Sequence, residues 1–375
     1  MAISKTFIDY FSDVKDPRRD NKNRRHELMD ILVITILGTI CGAEGWNELC
    51  DFAHSKQTWL ETFLALPNGI PSHDTFARVF SLINPCEFDK CFSHWIASLA
   101  IDVKNATIAI DGKTLRGSHN RRKGQLPTHL VSAWSSKHKL LLAQVKTPEK
   151  SNEIEAIPQL LKMIDITESI VTIDAMGCQQ KIARQIKRQG ADYILALKEN
   201  QPSLYKDIST IFKNATEGEK KFKKMLHLCK VEKIKAHGRL ERRRYTLLSA
   251  RDALLFDLRW PGLKSIGMIE TKRTVNNETT HSIRYFITTL EHERIDDFMR
   301  GVRKHWDIEI NLHWSLDVSF KEDHSRIRSG HAAENLATIR RVALNLLKQE
   351  TSMKAGITRK RKRAGWENKY LLAME

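Results

Sequence analysis

Two short apolar segments of this chain run directly into an aspartate. Residues 107–110 precede Asp111 in NATIAIDGKTLRGS, and residues 170–173 precede Asp174 in SIVTIDAMGC. Apolar and β-branched runs of this length predict buried strands, and open α/β sheets place their sites beyond the carboxyl ends of their strands. We therefore expect both acids to lie at one edge of a sheet.

The pattern between residues 104 and 221 alternates between strand and helix. Its predicted elements are strands at 106–111, 129–135 and 139–146, a helix at 152–164, a strand ending at Asp174, a helix at 178–189, a strand at 192–198 and a helix opening near Pro202. This order fits a mixed five-stranded sheet with flanking helices, which is an α/β fold.

The segments around this sheet have different patterns. Residues 1–103 show helical periodicity and predict an N-terminal helical domain, which suits either a DNA-binding module or a structural bundle. Residues 222–290 are β-rich, with basic and apolar positions interleaved. Helical periodicity returns over 291–350, and residues 351–375 form a basic C-terminal tail.

Charge and composition narrow the class of partner. The 375 residues carry a formal net charge of +17, which favours a polyanion such as nucleic acid. The longest apolar run, residues 31–43, is too short to span a bilayer and predicts a buried helix instead. The six cysteines have no zinc-binding spacing. We expect a cytoplasmic protein with no membrane partner.

Asp111 and Asp174 require a cation if they lie together. Should the fourth strand lie beside the first, the two carboxylates would be neighbours, and like charges at such a distance repel unless a cation neutralises them. Oxygen ligands of this kind favour Mg²⁺ or Mn²⁺ over zinc. A third acid would complete the site.

Glu309 is the best candidate for that third acid. It interrupts a largely apolar helical stripe in HWDIEINLHWSLDVSF, and a carboxylate carried towards an interior is costly unless it binds something. Pairing with Arg303 would explain it equally well. Three later acids are rivals for the same role: Asp317, Glu322 and Asp323.

Long motifs then carry a resemblance that covers nearly the whole chain. They include GIPSHDTFARVFSLI, IAIDGKTLRGS, KSNEIEAIPQLL, TIDAMGCQ, ALKENQ and HWDIEINLHWSLDVSFKEDHSRIRSGHAAENLATIR. In this order they resemble the H-repeat-associated transposases, a bacterial insertion-sequence group with a DDE catalytic core. The resemblance implies a ribonuclease-H-like core built from residues 104–221 and 291–350, with 222–290 as an insertion.

The resemblance also implies an activity and a site. Asp111, Asp174 and Glu309 would be the acidic triad, holding two Mg²⁺ ions, with Mn²⁺ as a substitute. The protein would cut double-stranded DNA at the ends of an element and transfer the freed strand to target DNA. It would act as a homo-oligomer associated with the nucleoid.

Four further residues are candidate DNA contacts. Lys113, Arg116 and Lys198 follow strand ends near the site and could bind phosphates, although each also fits a solvated surface residue. His305 occupies a helix position at which related transposases carry a phosphate-binding residue. Two other functions stay open: an inactive DNA-binding relative, or a ribonuclease-H-like nuclease without strand transfer.

Overall fold

The computed structural model describes residues 9–19, 24–99, 101–120, 124, 126–147, 153–217, 229–236, 238–253 and 260–374. Before residue 104, the helices of the described part are α1 (Leu28–Cys41), α2 (Trp46–Ser55), α3 (Gln57–Leu60), α4 (His73–Leu82) and α5 (Pro85–Ser98). The hydroxyl of Ser72 caps α4 by accepting a hydrogen bond from the backbone of Thr75, which satisfies one free N–H of the first turn. The predicted helical character of this region is confirmed.

The α1 helix contains most of the longest apolar run of the chain. Almost all of its side chains are buried, which confirms the buried helix predicted from the sequence. Among the described residues, no single helix is long and apolar enough to cross a membrane. Only the pair formed by α1 and α2, bent by 94° between them, meets that criterion by length and composition.

The described strands form one mixed sheet. They are β1 (Thr107–Thr114), β2 (His129–Ser135), β3 (Leu140–Thr147), β4 (Ile170–Ile173), β5 (Asp192–Leu197), β6 (Cys229–Ala236), β7 (Arg239–Ser249), β8 (Ser265–Val275) and β9 (Glu278–Thr288). Their order across the sheet is β3-β2-β1-β4-β5-β9-β8-β7-β6.

The first five strands follow the predicted order along the chain. β1 pairs antiparallel with β2, and β2 pairs antiparallel with β3. β1 pairs parallel with β4, and β4 pairs parallel with β5. The fourth strand therefore lies beside the first, as the site hypothesis requires. Helices α6 (Glu153–Lys162), α7 (Gln180–Arg188) and α8 (Pro202–Glu217) connect or follow these strands, as predicted.

The β-rich segment after α8 extends the same sheet, so the sheet has nine strands where the sequence predicted five. Ile194–Leu197 of β5 pair antiparallel with Tyr285–Thr288 of β9, and β8, β7 and β6 follow outwards. An unpaired β5 edge would expose backbone donors and acceptors, and β9 covers that edge. The sequence pattern missed this pairing because it joins residues about 90 positions apart.

A long broken helix follows the sheet and lies across it. Helix α9 (Ile295–Ile308) continues into a π-helix (Glu309–His313) and then into α10 (Trp314–Ser319). α9 packs on β1 and β4. Gly301 allows this approach, since a Cβ at that position would lie 2.5 Å from Cδ1 of Ile194.

The N-terminal helices share a core with helix α11 (Ala332–Gln349), far along the chain. One cluster of buried apolar side chains includes residues from α1, α4, β1 and α11. The side-chain amide of Asn335 donates to the carbonyl oxygens of Phe80 at 2.8 Å and Ile83 at 2.9 Å. The change of pattern near residue 104 therefore does not mark a gap in packing.

The C-terminal residues, described from the sequence only as a basic tail, fold against the body of the protein. They contain α12 (Ile357–Trp366) and α13 (Asn368–Leu372). Arg361 is buried, where it donates to the carbonyl of Thr39 at 2.9 Å and lies 4.2 Å from the ring centre of Phe320. The buried face of α12 consists of Lys360, Arg361 and Ala364, so two of its basic residues lie inside the fold.

Candidate active site

The parallel register of β1 and β4 brings Asp111 and Asp174 to the same level of the sheet. Ile110 is the partner of Ile173, so the two acids are the next residues on neighbouring strands. The sequence placed Asp111 at the end of β1, and this detail is wrong. β1 continues to Thr114 because it stays paired with β2 after the pairing with β4 has ended.

The carboxylate of Asp174 is partly engaged by its own turn. Its Oδ1 accepts hydrogen bonds from the backbone N–H groups of Met176 at 3.0 Å and Gly177 at 3.4 Å. Such a turn fixes the direction of an aspartate side chain. Asp174 is still close enough for its charge to contribute to the raised pKa of Asp111.

Glu309 reaches the same region from the far end of the sequence. It is the first residue of the π-helix, and its side chain is 51% exposed. π-Helical turns inside α-helices are rare and frequently occur at functional sites. Arg303, the alternative partner predicted from the sequence, forms an ion pair with Glu232.

His313 joins the two carboxylates, and sequence reasoning missed it as a site residue. Its Nδ1 lies 3.4 Å from Oε2 of Glu309 and 3.6 Å from Oδ2 of Asp111. The ligand atoms of Asp111, Glu309 and His313 all lie within 4.8 Å of one another, so these residues could hold a metal ion. His313 follows Glu309 by four residues, which places both side chains on one helix face. This signal was overlooked because that face was interpreted as apolar.

The charges at the site are poorly compensated by the protein alone. Burial and the nearby charge of Glu309 raise the pKa of Asp111 to about 8. A hydrogen bond with His313 lowers the pKa of Glu309 to about 2. Two close carboxylates resist being ionised together, which favours the protonated form of Asp111 when no cation is bound.

The three acids proposed as alternatives to Glu309 form ion pairs within the fold. Nζ of Lys113 is buried and lies 2.7 Å from both carboxylate oxygens of Asp317 and 3.4 Å from Oδ1 of Asp323. Glu322 is buried with Oε1 2.7 Å from Nη1 of Arg341. The prediction of Lys113 as a surface phosphate contact is corrected, because its charge is already neutralised inside the protein.

The other predicted DNA contacts lie in different environments. The side chain of Arg116 is 83% exposed, although Nε lies 3.4 Å from Oδ2 of Asp323. Lys198 is exposed directly after β5. His305 is directed into the fold, where Nδ1 lies 3.1 Å from the hydroxyl of Thr172 and burial lowers its pKa. Arg116 and Lys198 can meet a ligand from solvent, whereas His305 supports the base of the site.

A basic cleft adjoins the glutamate helix, which we define as α9 together with the π-helix that begins at Glu309. It has a volume of about 700 Å³ and lies between strands β7–β9 and α9. Its charged lining consists of Arg239, Arg243, Arg273, Arg284, Arg303, Lys304, Glu241 and Asp307. Arg284 is half-buried, and both burial and the charge of Arg243 lower its pKa. Ile310, which follows Glu309, also lines the cleft, so an anion bound there would lie next to the acidic cluster.

The sequence and fold can now be compared with known proteins. Residues 104–346 match the family described as "Transposase DDE domain", and residues 8–96 match the family "DDE_Tnp_1-associated". The chain is 38% identical over 375 residues to "H repeat-associated putative transposase YhhI" of Escherichia coli (strain K12), covering 99% of this chain and 97% of that protein.

Two further relatives have different descriptions. "Putative transposase YncI" of Escherichia coli O157:H7 is 39% identical over 370 residues, covering 98% of this chain and 93% of its own. A protein named "Inactive transposase YbfQ", from Escherichia coli (strain K12), is 48% identical over 56 residues, which are 15% of this chain and 67% of that protein.

Proposed function

Because this chain belongs to the transposase DDE domain family, we propose that it is a DNA transposase that cuts the ends of an insertion-sequence element and joins the freed strand to target DNA. The observation that carries the proposal is the placement of three acids from separate elements: Asp111 and Asp174 follow paired residues of neighbouring strands, and the ligand atoms of Glu309 and Asp111 lie within 4.8 Å of each other. The proposed triad is the one that the family resemblance implies.

We further propose that β1–β5 form a ribonuclease-H-like core. Their order, β3-β2-β1-β4-β5, combines an antiparallel meander with two parallel strands, and the glutamate helix lies across β1 and β4. In this proposal residues 104–221 and 291–350 make the core, and 222–290 is an insertion that continues its sheet.

The acidic cluster fits a divalent cation. Two carboxylates and an imidazole within 4.8 Å of one another form a compact donor set, and the raised pKa of Asp111, caused by burial and by the charge of Glu309, is what a site short of positive charge produces. Two Mg²⁺ or Mn²⁺ ions held by Asp111, Asp174 and Glu309 would supply Lewis acidity for the attacking water or 3′-hydroxyl and for the leaving oxygen.

The chain's own residues have separate tasks. Asp111 would hold a cation in its ionised form, and the backbone N–H groups of Met176 and Gly177 hold Asp174 in a fixed direction. The basic cleft binds the phosphates of the DNA strand that reaches Glu309. Arg116 and Lys198 contact phosphates on the strand-end side of the site.

The remaining parts of the chain follow from the same proposal. The N-terminal helices, residues 1–103, recognise the sequence of the element ends, since the catalytic core reads only phosphates. Two ends must be held together for transposition, so the active complex is a homo-oligomer on DNA. Association with the nucleoid follows from DNA binding.

A cleavage and joining assay tests the proposal. The substrate is a duplex with the inverted repeats that border the element, together with a supercoiled target plasmid and Mg²⁺. The wild-type protein should nick the ends and join them to the plasmid. Asp111→Asn, Asp174→Asn and Glu309→Gln should each reduce both steps by about a thousandfold or more, while DNA binding stays nearly unchanged.

Glu155→Gln is the matched control, because Glu155 is an exposed acid on α6 outside the cluster. Cutting without joining would identify a nuclease. DNA binding without any cutting would identify an inactive relative, a state for which the family has a named example. Near-normal cutting by one of the three variants would remove that residue from the triad.

A further inference from the structure

We propose that His313 is a direct metal ligand, so that Asp111, Glu309 and His313 form a mixed oxygen and nitrogen site that prefers Mn²⁺ to Mg²⁺. This inference rests on the proposed metal-dependent function, but it concerns a residue outside the acidic triad. Its content is the identity of a ligand and the class of cation that such a ligand favours.

The distances fit a shared ion. Metal–ligand bonds of about 2.1 Å place neighbouring ligands of an octahedral ion about 3 Å apart and opposite ligands about 4 Å apart. Nδ1 of His313 lies 3.4 Å and 3.6 Å from the two carboxylates, between those values. An ion between the three side chains therefore requires only small adjustments of their positions.

The imidazole is fixed in this orientation. The side chain of His313 is 7% exposed, whereas that of Glu309 is 51% exposed, so the ring is the more constrained partner. Within the described residues, Nε2 of His313 is buried and has no hydrogen-bond partner. Nδ1 is thus the nitrogen that meets the carboxylates, and it is the one available for coordination.

Asp174 is not the third ligand of the ion between Asp111 and Glu309. Its Oδ1 already accepts two backbone hydrogen bonds, and it is outside the group of three whose ligand atoms are closest. His313 therefore supplies the third donor for a cation between Asp111 and Glu309. Asp174 remains a ligand for the second proposed ion or a bridge to it.

The donor type determines the preferred cation. Mg²⁺ takes oxygen ligands almost exclusively. Imidazole is a ligand of first-row transition ions, and Mn²⁺ is the ion of that row that also suits the carboxylates of this site. A buried imidazole at this distance should therefore favour Mn²⁺ over Mg²⁺. A site made only of carboxylates would discriminate less between them.

Pulsed electron paramagnetic resonance of Mn²⁺ bound to the full chain, without DNA, tests this inference. The wild-type protein should show a ¹⁴N hyperfine coupling typical of a directly bound imidazole, and ¹⁵N-labelled histidine should change it to a ¹⁵N coupling. His313→Gln should lose the coupling and weaken Mn²⁺ binding by about tenfold or more, with a smaller loss for Mg²⁺. Competition between the two ions measures that ratio.

His281→Gln is the matched control, because His281 is an exposed histidine of β9 outside the acidic cluster, so this change should leave the coupling intact. Bound Mn²⁺ without nitrogen coupling in the wild type would overturn the assignment and reduce His313 to a positioning residue, while the proposed function would stand. No Mn²⁺ binding by the wild type, or binding that survives both Asp111→Asn and Glu309→Gln, would count against the metal site itself.

Discussion

Asp111 is half-buried next to another carboxylate, and its state of protonation decides whether the site can accept a cation. Burial and the charge of Glu309 raise its pKa to about 8, above the ordinary value of 3.8. With a pKa raised in this way, a cation that binds Asp111 at pH 7 must compete with a proton.

Cation binding should consequently depend on pH. Below about pH 8, the affinity for Mn²⁺ should rise about tenfold for each pH unit, because each binding event releases one proton from Asp111. Above that pH the affinity should level off. Calorimetry in buffers with different ionisation enthalpies measures the proton directly, and an affinity that is constant between pH 6 and pH 8 would show that Asp111 is already ionised.

Gly112, the residue after Asp111, is required by a close contact on β1. A Cβ at this position would lie 2.3 Å from Oε1 of Glu153 and 2.5 Å from Nε2 of His129. These two side chains are buried and form an ion pair at 2.6 Å. The strand that carries Asp111 is thus packed directly against a polar pair that cannot move away without losing its bond.

Gly112→Ala should lower the free energy of unfolding by about 1–3 kcal/mol, through overpacking or rupture of that pair. Thermal denaturation measures the change. Gly45→Ala serves as the control, since nothing lies within 4 Å of a Cβ there. Equal stability of both variants would mean that Glu153 and His129 can rearrange freely.

Some site residues could be predicted from the sequence, because the apolar residues that mark them are close to them in the sequence. Asp111 and Asp174 follow apolar runs, and Glu309 interrupts an apolar stripe. Lys113 was misjudged because its partner Asp317 lies 204 positions away. His313 lies four residues after Glu309 and so on the same helix face, but only the fold reveals that this face meets Asp111.

At the level of elements, the register between β1 and β4 brings Asp111 and Asp174 to the same level of the sheet. The sequence predicted most strands and helices of residues 104–221 to within a few residues, because hydrophobic periodicity is a local property. It did not predict that β9 would pair with β5 and make one sheet of nine strands. That pairing depends on contacts between distant segments, which periodicity does not record.

The C-terminal helix α12 separates two kinds of basic residue. Arg361 is buried in contact with Thr39 and Phe320, whereas Arg359 and Lys362 are exposed. A surface charge contributes to DNA affinity, but a buried charge that donates hydrogen bonds contributes to folding.

Arg361→Gln should therefore lower the free energy of unfolding by about 1–3 kcal/mol, because a buried carbonyl loses its donor. The double change Arg359→Gln with Lys362→Gln should leave stability within about 0.5 kcal/mol and reduce the salt dependence of DNA binding by up to about 1.8 in log–log slope. Denaturation and binding at several salt concentrations test both. If Arg361→Gln changed the salt dependence and the double variant lost stability, α12 would not be packed as described.

At the level of the whole molecule, the N-terminal helices and the sheet form one body. The hydroxyl of Thr338 donates to the buried carboxylate of Asp89 at 2.7 Å, and Gln144 donates to the same group at 2.9 Å. Burial raises the pKa of Asp89 to about 6. Separating residues 1–103 from the rest would expose these groups together with the shared apolar core.

The sequence led us to expect an N-terminal fragment that folds alone, and the packing leads us to expect the opposite. The full chain should unfold in one transition by circular dichroism and by tryptophan fluorescence. The fragment 1–103 should lack a cooperative transition. A fragment that unfolds cooperatively and protects element-end DNA from footprinting would restore the two-domain division.

The central claim is that Asp111, Asp174 and Glu309 converge on the cations that act on DNA. An anomalous difference map from crystals of the protein grown with Mn²⁺ and an element-end duplex tests it most directly. We predict peaks within about 2.5 Å of carboxylate oxygens of all three residues, with a DNA phosphate beside them. Peaks elsewhere on the protein, in crystals where DNA is bound and these three side chains hold no ion, would contradict the account.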